Sequence, residues 1–526
     1  MPDDTQTRPS RLLIVAIAAG FAMAHTQSPL FFSNQNQYLL HGLANAGYGH
    51  LDHDWLANTK DPTLAFSLLV AILYKLGGLF AIQVAFFMLL MAYFLAIWKL
   101  VESFGSVRLV PFAAIFTAAH AAAFRLMAVR VAGVDYPWYF QAGVAGQYVL
   151  GPGLQPSAFG VLLVASLAAF ARNRPRLAAV LAALAADVHA TYLLPAALLT
   201  IGYAIGLERE SRRRTALSVS ALSLAVASPV IVYILYAFDS DGPKTMHAAE
   251  HVLATVRIPH HSQVSRWLDV VAVLQIAWIA LGLFLLRRSR LFVPLFLATI
   301  GAVVLTVLQF RTANDALALL FPWRISVVLV PVTTAAVAVK FADFDRNSRI
   351  AEALAGLLFI AQVAGGVAIV AVGLGYQMNE AEVPLLQFVS ENSGPNDVYL
   401  IPTRIPPVGT GSKGVISTSF TPPPRPKPGS NLIPVDLQRF RLATGAAIYA
   451  DFKSVPYAPD EVLEWLRRVK QVEAWYEVED WDRAGVREQL VKEGITHMVV
   501  PKSSAIRATF LEWMYEDKAY AVYRVR

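Results

Sequence analysis

The chain has 526 residues, of which 56% are hydrophobic and only 15% charged, whereas soluble domains carry about 25% charged residues. With a mean hydropathy of +0.49, this composition excludes an ordinary soluble protein and predicts a polytopic membrane protein in contact with the bilayer. The net charge of +7 implies no nucleic-acid partner, because Lys and Arg fall in short clusters between apolar runs, as in cytoplasmic loops.

Arg8 and Arg11 precede an apolar run that starts at Leu12. Ala22-Met23-Ala24 has the small-residue pattern of a cleavage site. The run nevertheless continues through Pro29-Leu30-Phe31-Phe32, so an uncleaved first span with a cytoplasmic N-terminus is expected. It delivers the loop 33–62, SNQNQYLLHGLANAGYGHLDHDWLANTKDP, to the far side. This loop is polar, aromatic and acidic at once. It offers Asn34, Gln35, His41, His50, Asp52, His53, Asp54 and Asp61 at the mouth of a helical bundle.

Residues 63–76 form a short apolar segment ended by Gly77-Gly78, 79–101 a full span, and 109 to about 127 a third run. The side of 102–108 depends on whether 63–76 crosses. The next stretch, RVAGVDYPWYFQAGVAGQYVLGPGLQ (130–155), is dense in Gly and Pro, which argues against a regular helix. Irregular backbone at membrane depth must line protein or a water-filled cavity, because lipid leaves its polar groups unsatisfied.

Residues 156–171 return to Arg172, Arg174 and Arg176. The run 177–207 is too long for one span and too short for two, with Asp187-Val188-His189 in its middle. It predicts two short helices meeting at a far-side turn. Residues 216–238, 267–286, 291–310, 323–339 and 350–376 then alternate across the membrane, with basic clusters at 209–214, 287–290 and 340–349. The total is about eleven to thirteen spans, by length.

From about residue 379 the material becomes soluble-like. Strands are expected at 398–401, 448–452 and 497–501, and an edge strand at 520–525. Helices are expected at 461–475 and 484–493. Helix, Gly494, then strand predicts a small α/β domain with a partly parallel sheet. The division is thus 1–378, a transmembrane helical domain, and 379–526, an extracytoplasmic α/β domain.

Several side chains are placed where chemistry needs them. Asp187 and His189 lie deep in apolar sequence, where ionisable groups are rare; they would share a cavity only if the helix breaks between them. Arg130 and Arg324 sit near span ends on the far side, against the positive-inside trend, and an Arg fork suits phosphate. Asp135 and Tyr136, in DYPWY, suit a sugar face, although Trp and Tyr also form interfacial belts. His247, His251, His260 and His261 lack the glutamate motif of a zinc protease, and no metal ligand is assigned. There is no Cys, and no P-loop, nucleophile elbow or dinucleotide fingerprint; Gly409 to Gly414 reads as a plain loop.

NQNQYLLHGL after the first span, then DPTLAFSLLVAILYKLGG with its Lys75-Leu76-Gly77 ending, together with LVKEGITHMVVP in the tail, resemble the GT-C superfamily of membrane glycosyltransferases. The similarity is to the branch of protein mannosyltransferases and lipid A aminoarabinose transferases. The resemblance implies a mainly α, GT-C-like bundle with a C-terminal α/β domain, set in the cell (inner) membrane. It implies transfer of a sugar from a polyprenyl-phosphate donor to a lipid, glycan or protein acceptor on the extracytoplasmic side. The family's catalytic Asp in the first loop aligns here with Asn34 or Gln35. An amide neither accepts a proton at neutral pH nor holds a divalent metal by charge.

Either the acid has moved to Asp54, with Asp52 second, or the chain is a non-catalytic binder or scaffold of lipid-linked glycans. Asp52 and Asp54 would also admit a divalent cation, or simply cap a helix near Trp55. In the transferase reading, Arg130, Arg324 and His189 hold phosphate, Asp135 and Tyr136 face sugar, and Asp187, Asn34 and Gln35 belong to the substrate-binding set. A transporter would instead show matching broken helices in two halves, and the break at Asp187 has no counterpart in the sequence.

Overall fold

The computed structural model describes residues 9–240, 242–343, 348–373, 380–405 and 435–526. The Pro-rich turns at 406–407 and 422–428, the stretch 409–414, Asp241, Arg346 and the end of the last expected span lie outside the described residues. So does the residue 378/379 boundary between the two expected domains.

The first helix, Arg11–His25, starts where Ser10 accepts a hydrogen bond from the Leu13 amide at 3.2 Å, satisfying one of the free donors of its first turn. The 63–76 segment and the span after it merge into one 38-residue helix, Leu64–Val101, kinked at Gly77-Gly78. Gly78 has φ 61° and ψ −156°, a region open essentially to glycine alone.

Among the described residues six helices are long and apolar enough to cross a membrane. They become seven if Leu109–Ala118 and Ala122–Ala132, bent by 44°, count as one broken span; Arg11–His25, Pro156–Ala171 and Val270–Leu285 are shorter apolar helices. The expected eleven to thirteen segments are therefore not all full-length helices. Apolar runs that read as single spans are built from short or bent pieces.

The run around Asp187 is such a case. Pro175–Val188 ends at His189, whose backbone is extended (φ −145°, ψ 104°), and after one turn Leu193–Arg209 continues. Ala178, Ala179, Ala182, Ala183, Ala185 and Ala186 are all buried. Small side chains let the backbones of neighbouring helices approach, which is the usual source of helix association in lipid. Arg349–Val372 instead leaves Ile350, Leu354, Leu357 and Ile360 exposed, an outward stripe at helical spacing that suits lipid.

The tail carries a five-stranded sheet of order β2-β1-β3-β5-β4, made of β1 (Val398–Leu400), β2 (Ala447–Ile448), β3 (His497–Pro501), β4 (Leu511–Glu516) and β5 (Tyr520–Val525). β1 pairs parallel with β2 and β3; β5 pairs antiparallel with β3 and β4. The partly parallel order agrees with the helix–glycine–strand pattern. One expectation is corrected: β5 is an inner strand, because Leu511–Glu516, not foreseen as a strand, covers its outer edge. β2 is also shorter than expected, and its continuation, 449–455, leaves the sheet to meet the first loop. Pro459–Glu477 packs Val462, Trp465, Val469, Val472 and Trp475 inward, an i, i+3, i+4 stripe with the charged residues outside.

First loop and tail domain are locked together. Gln37 and Val455 exchange two hydrogen bonds, side-chain Nε2 to carbonyl at 2.8 Å and backbone amide to Oε1 at 2.6 Å. The His50 amide donates to the Gly445 carbonyl at 2.7 Å. A Cβ on Gly49 would lie 2.5 Å from that same oxygen, so only glycine permits the approach.

Candidate functional site

Between the first loop, the irregular 143–157 stretch, the broken helix at His189 and the tail lies a cavity of about 340 Å³. Its lining includes Asn34, Tyr38, Tyr148, His189, Arg257, His261, Arg324 and Lys453. The Gly- and Pro-rich backbone that lipid would not tolerate therefore borders a cavity, as its sequence required.

Three cations face this space. Arg324 sits in the turn Pro322–Ile325, and its guanidinium lies 4.8 Å from the centre of the Tyr192 ring. Arg257 donates to the Lys453 carbonyl and lies 5.6 Å from the Phe452 ring centre. Lys453 Nζ donates to Asn34 Oδ1 at 2.7 Å, and Asn34 Nδ2 donates to the Tyr148 hydroxyl at 3.2 Å. The Nε atoms of Arg257 and Arg324 are buried with no hydrogen-bond partner among the described residues. Unpaired buried donors on cations are costly. Among the described residues, no Asp or Glu lines the cavity. Burial, then repulsion from Arg257, pushes the Lys453 ammonium down to about 7, with Asp451 pulling it back. Burial likewise lowers Arg257. The arrangement is an electropositive cavity with unused donors, suited to an anion.

Of the residues singled out from the sequence, Asn34, His189, His260, His261 and Arg324 come together here. The other candidate catalytic and substrate-binding residues lie elsewhere. Asp54 is fully buried beneath the tail. Its Oδ2 accepts from Arg441 Nε at 2.7 Å and from the Ile448 amide at 2.9 Å, and its Oδ1 from the Leu56 amide at 2.9 Å. Arg441 Nη1 also reaches Asp451 Oδ2 at 2.6 Å. Asp52 is exposed, 3.6 Å from the His53 ring nitrogen. Asp135 is buried in a two-bond contact with Arg125 (2.9 and 2.7 Å) and caps the Tyr136–Tyr139 turn. Tyr136 and Arg130 are exposed. Gln35 is buried, with its Nε2 3.4 Å from the Leu154 carbonyl. Asp187 is half-buried and outside the lining, so the break after Val188 brings only His189 to the cavity. His247 bonds Glu250 and His251 bonds Asp315, and neither is among the residues lining the cavity that His260 and His261 border. No group of three or more His, Asp or Glu arranged to hold a metal occurs among the described residues.

Sequence reasoning missed Arg257 and Lys453. Arg257 carried a signal: like Arg324, it lies in a loop expected from the sequence on the far side, where a cation runs against the positive-inside trend. Lys453 carried none, being 419 residues from the Asn34 it bonds.

A family model described as a domain of unknown function (DUF6798) matches residues 426–472, a segment that contains Arg441, Asp451 and Lys453. No curated protein matches the chain in sequence. Among solved structures, the chain is similar to ArnT from Cupriavidus metallidurans, determined bound to undecaprenyl phosphate. The identity is 13% and the TM-score 0.50, over 98% of this chain and 97% of that one. The protein thus has a GT-C-like membrane fold, a helical bundle capped by a small α/β domain.

Proposed function

We propose that the protein is a membrane glycosyltransferase. It takes a sugar from a polyprenyl-phosphate carrier and passes it to a lipid, glycan or protein acceptor on the extracytoplasmic side. The N-terminus is cytoplasmic in this reading, and the tail domain lies on the same side as the first loop. The observation that carries the proposal is the convergence of Arg257, Arg324 and Lys453 on a cavity whose lining has no carboxylate. A phosphodiester would satisfy the free guanidinium donors and neutralise the crowded charge. The fold shared with a protein solved with undecaprenyl phosphate bound supports the same ligand class. The all-positive lining also favours a neutral or acidic donor sugar over a cationic amino sugar, which would meet only like charge.

The test is transfer of radiolabelled sugar from a panel of undecaprenyl-phosphate-linked donors in membranes containing the protein. Label reaching an acceptor fraction supports the proposal. A second reading, a non-catalytic binder of lipid-linked glycans, is favoured by the amide at Asn34. It predicts that undecaprenyl phosphate binds while no label moves.

Lys453 adds a pH signature. Its ammonium titrates at about 7 in the free protein, and a bound phosphodiester raises that value, so binding takes up a proton. Affinity is fully present below pH 7 and falls as pH climbs from 7 towards the value in the complex. A phosphodiester probe, whose own charge is fixed, should bind more weakly at pH 8.5 than at pH 6.5. Lys453→Met should bind it with an affinity nearly independent of pH over that range.

A further inference from the structure

Transfer to a hydroxyl needs a group that accepts the hydroxyl proton, and a carboxylate usually does this. The cavity lining holds none. The nearby Asp451 spends its oxygens on Arg441 and on the Ser454 amide, at 2.6 Å each. Asn34 is an amide and accepts no proton. Lys453 is bonded to Asn34 and becomes a cation once phosphate is bound. The remaining bases are imidazoles.

His261 stands apart from the other two. Its Nδ1 lies 2.6 Å from the Ala145 carbonyl. A carbonyl oxygen only accepts, so Nδ1 carries the hydrogen and the neutral ring keeps its lone pair on Nε2. The ring itself lines the cavity. Ala145 holds that carbonyl in place from a left-handed conformation, φ 62° and ψ 31°, which a residue with a Cβ adopts only under constraint. The constraint is visible. The neighbouring Val144 amide donates to Ser326 Oγ at 2.8 Å, and Ser326 in turn donates to the Trp323 carbonyl. One strut thus sets both the His261 tautomer and the turn that bears Arg324. The groups facing His261 are His260, with ring centres 4.0 Å apart, and the cations Arg324, Lys453 and Arg257. Burial first, opposed by the Ala145 carbonyl and aided by the three cations, brings the His261 imidazole down to about 4. The ring is therefore neutral at physiological pH, and a bound phosphate would make it a stronger base.

We propose that His261 is the general base of the transfer. Its Nε2 takes the proton of the acceptor hydroxyl as that oxygen bonds to the anomeric carbon of the donor. The bond from that carbon to the phosphate oxygen breaks, and its electron pair leaves on the phosphate. Polyprenyl phosphate departs, held by Arg257, Arg324 and Lys453, and the imidazolium returns its proton to water at the cavity mouth. This rests on the transferase reading above.

The experiment uses the full-length protein in liposomes containing undecaprenyl-phosphate-linked donor. It compares wild type with His261→Gln and His261→Ala for kcat, KM, pH–rate profile, thermal stability and binding of undecaprenyl phosphate. The expected result is a fall in kcat of at least about a hundredfold, with phosphate binding kept within about threefold and the acidic limb of the profile lost. Added imidazole should restore turnover to His261→Ala, and substituted imidazoles should do so in order of basicity. Wild-type kcat and an intact acidic limb in His261→Gln overturn the inference and leave the transferase reading standing. Loss of both stability and phosphate binding in the two variants, without imidazole rescue, assigns a structural role and also overturns it. A wild type that binds undecaprenyl phosphate but transfers nothing overturns both.

Discussion

Asp54→Ala is expected to destabilise the protein by about 3–5 kcal/mol, because it strips a fully buried guanidinium of a partner. Arg441 bridges Asp54 of the first loop to Asp451 of the tail, at 2.7 and 2.6 Å. Both Arg441 and Asp54 are removed from solvent. The Ile448 amide, in β2, loses its acceptor in the same substitution. Urea or thermal unfolding in detergent measures the loss. Limited proteolysis should show the tail released from the bundle first. Undecaprenyl phosphate binding to the fraction still folded should change little, since Asp54 does not line the cavity. The opposite result, an Asp54→Asn protein of unchanged stability with transfer reduced about a hundredfold or more, would return Asp54 to the chemistry.

Arg324→Ala should weaken undecaprenyl phosphate binding by about 2–5 kcal/mol, the usual effect of truncating one partner of a buried charge pair. That is roughly a thirtyfold to several-thousandfold rise in Kd. The reason is geometric. The turn Pro322–Ile325 is held by Phe321 at φ 48°, and the Tyr192 ring at 4.8 Å supports one face of the guanidinium. The buried Nε has no hydrogen-bond partner among the described residues. A phosphate oxygen would supply one, and alanine leaves it with no counter-charge there. Arg324→Lys keeps the charge but loses the planar fork, so it should recover only part of the affinity. Titration with undecaprenyl phosphate at two salt concentrations checks both variants. An unchanged Kd for Arg324→Ala would remove the phosphate from this cavity.

Several parts of the molecule are legible in the sequence alone. Hydropathy marked the helices, because burying a backbone in lipid demands long apolar runs with internal hydrogen bonds. Gly77-Gly78 marked an interruption, which the structure makes a kink within one helix rather than the end of a segment, and Asp187-Val188-His189 marked a broken helix. The Gly- and Pro-rich 130–155 stretch announced irregular backbone beside a cavity. These are local properties, and a single chain segment carries them. Arg324 was legible for a related reason, since a cation against the topological trend asks for an anion. The number of full spans was not legible, because a hydropathy run does not reveal where a helix bends by 44°, as it does between Leu109–Ala118 and Ala122–Ala132. Nor was the inner position of β5, which depends on a partner strand whose exposed Trp513 and Met514 do not alternate as a half-buried strand would.

The sequence by itself determined a membrane-embedded helical bundle, a partly parallel α/β tail and an amide where a carboxylate was expected. The tertiary structure decided which ionisable groups are free to act. Asp54 and Asp135 look equally reactive in sequence, yet each is held by a buried arginine, Arg441 and Arg125. Lys453 and Arg257 look ordinary in sequence, yet folding brings both to Asn34 and Arg324 around one cavity. Apolar periodicity is written residue by residue, so it survives in one dimension. Charge pairing across hundreds of residues depends on which surfaces meet, and that exists only once the tail has docked on the first loop.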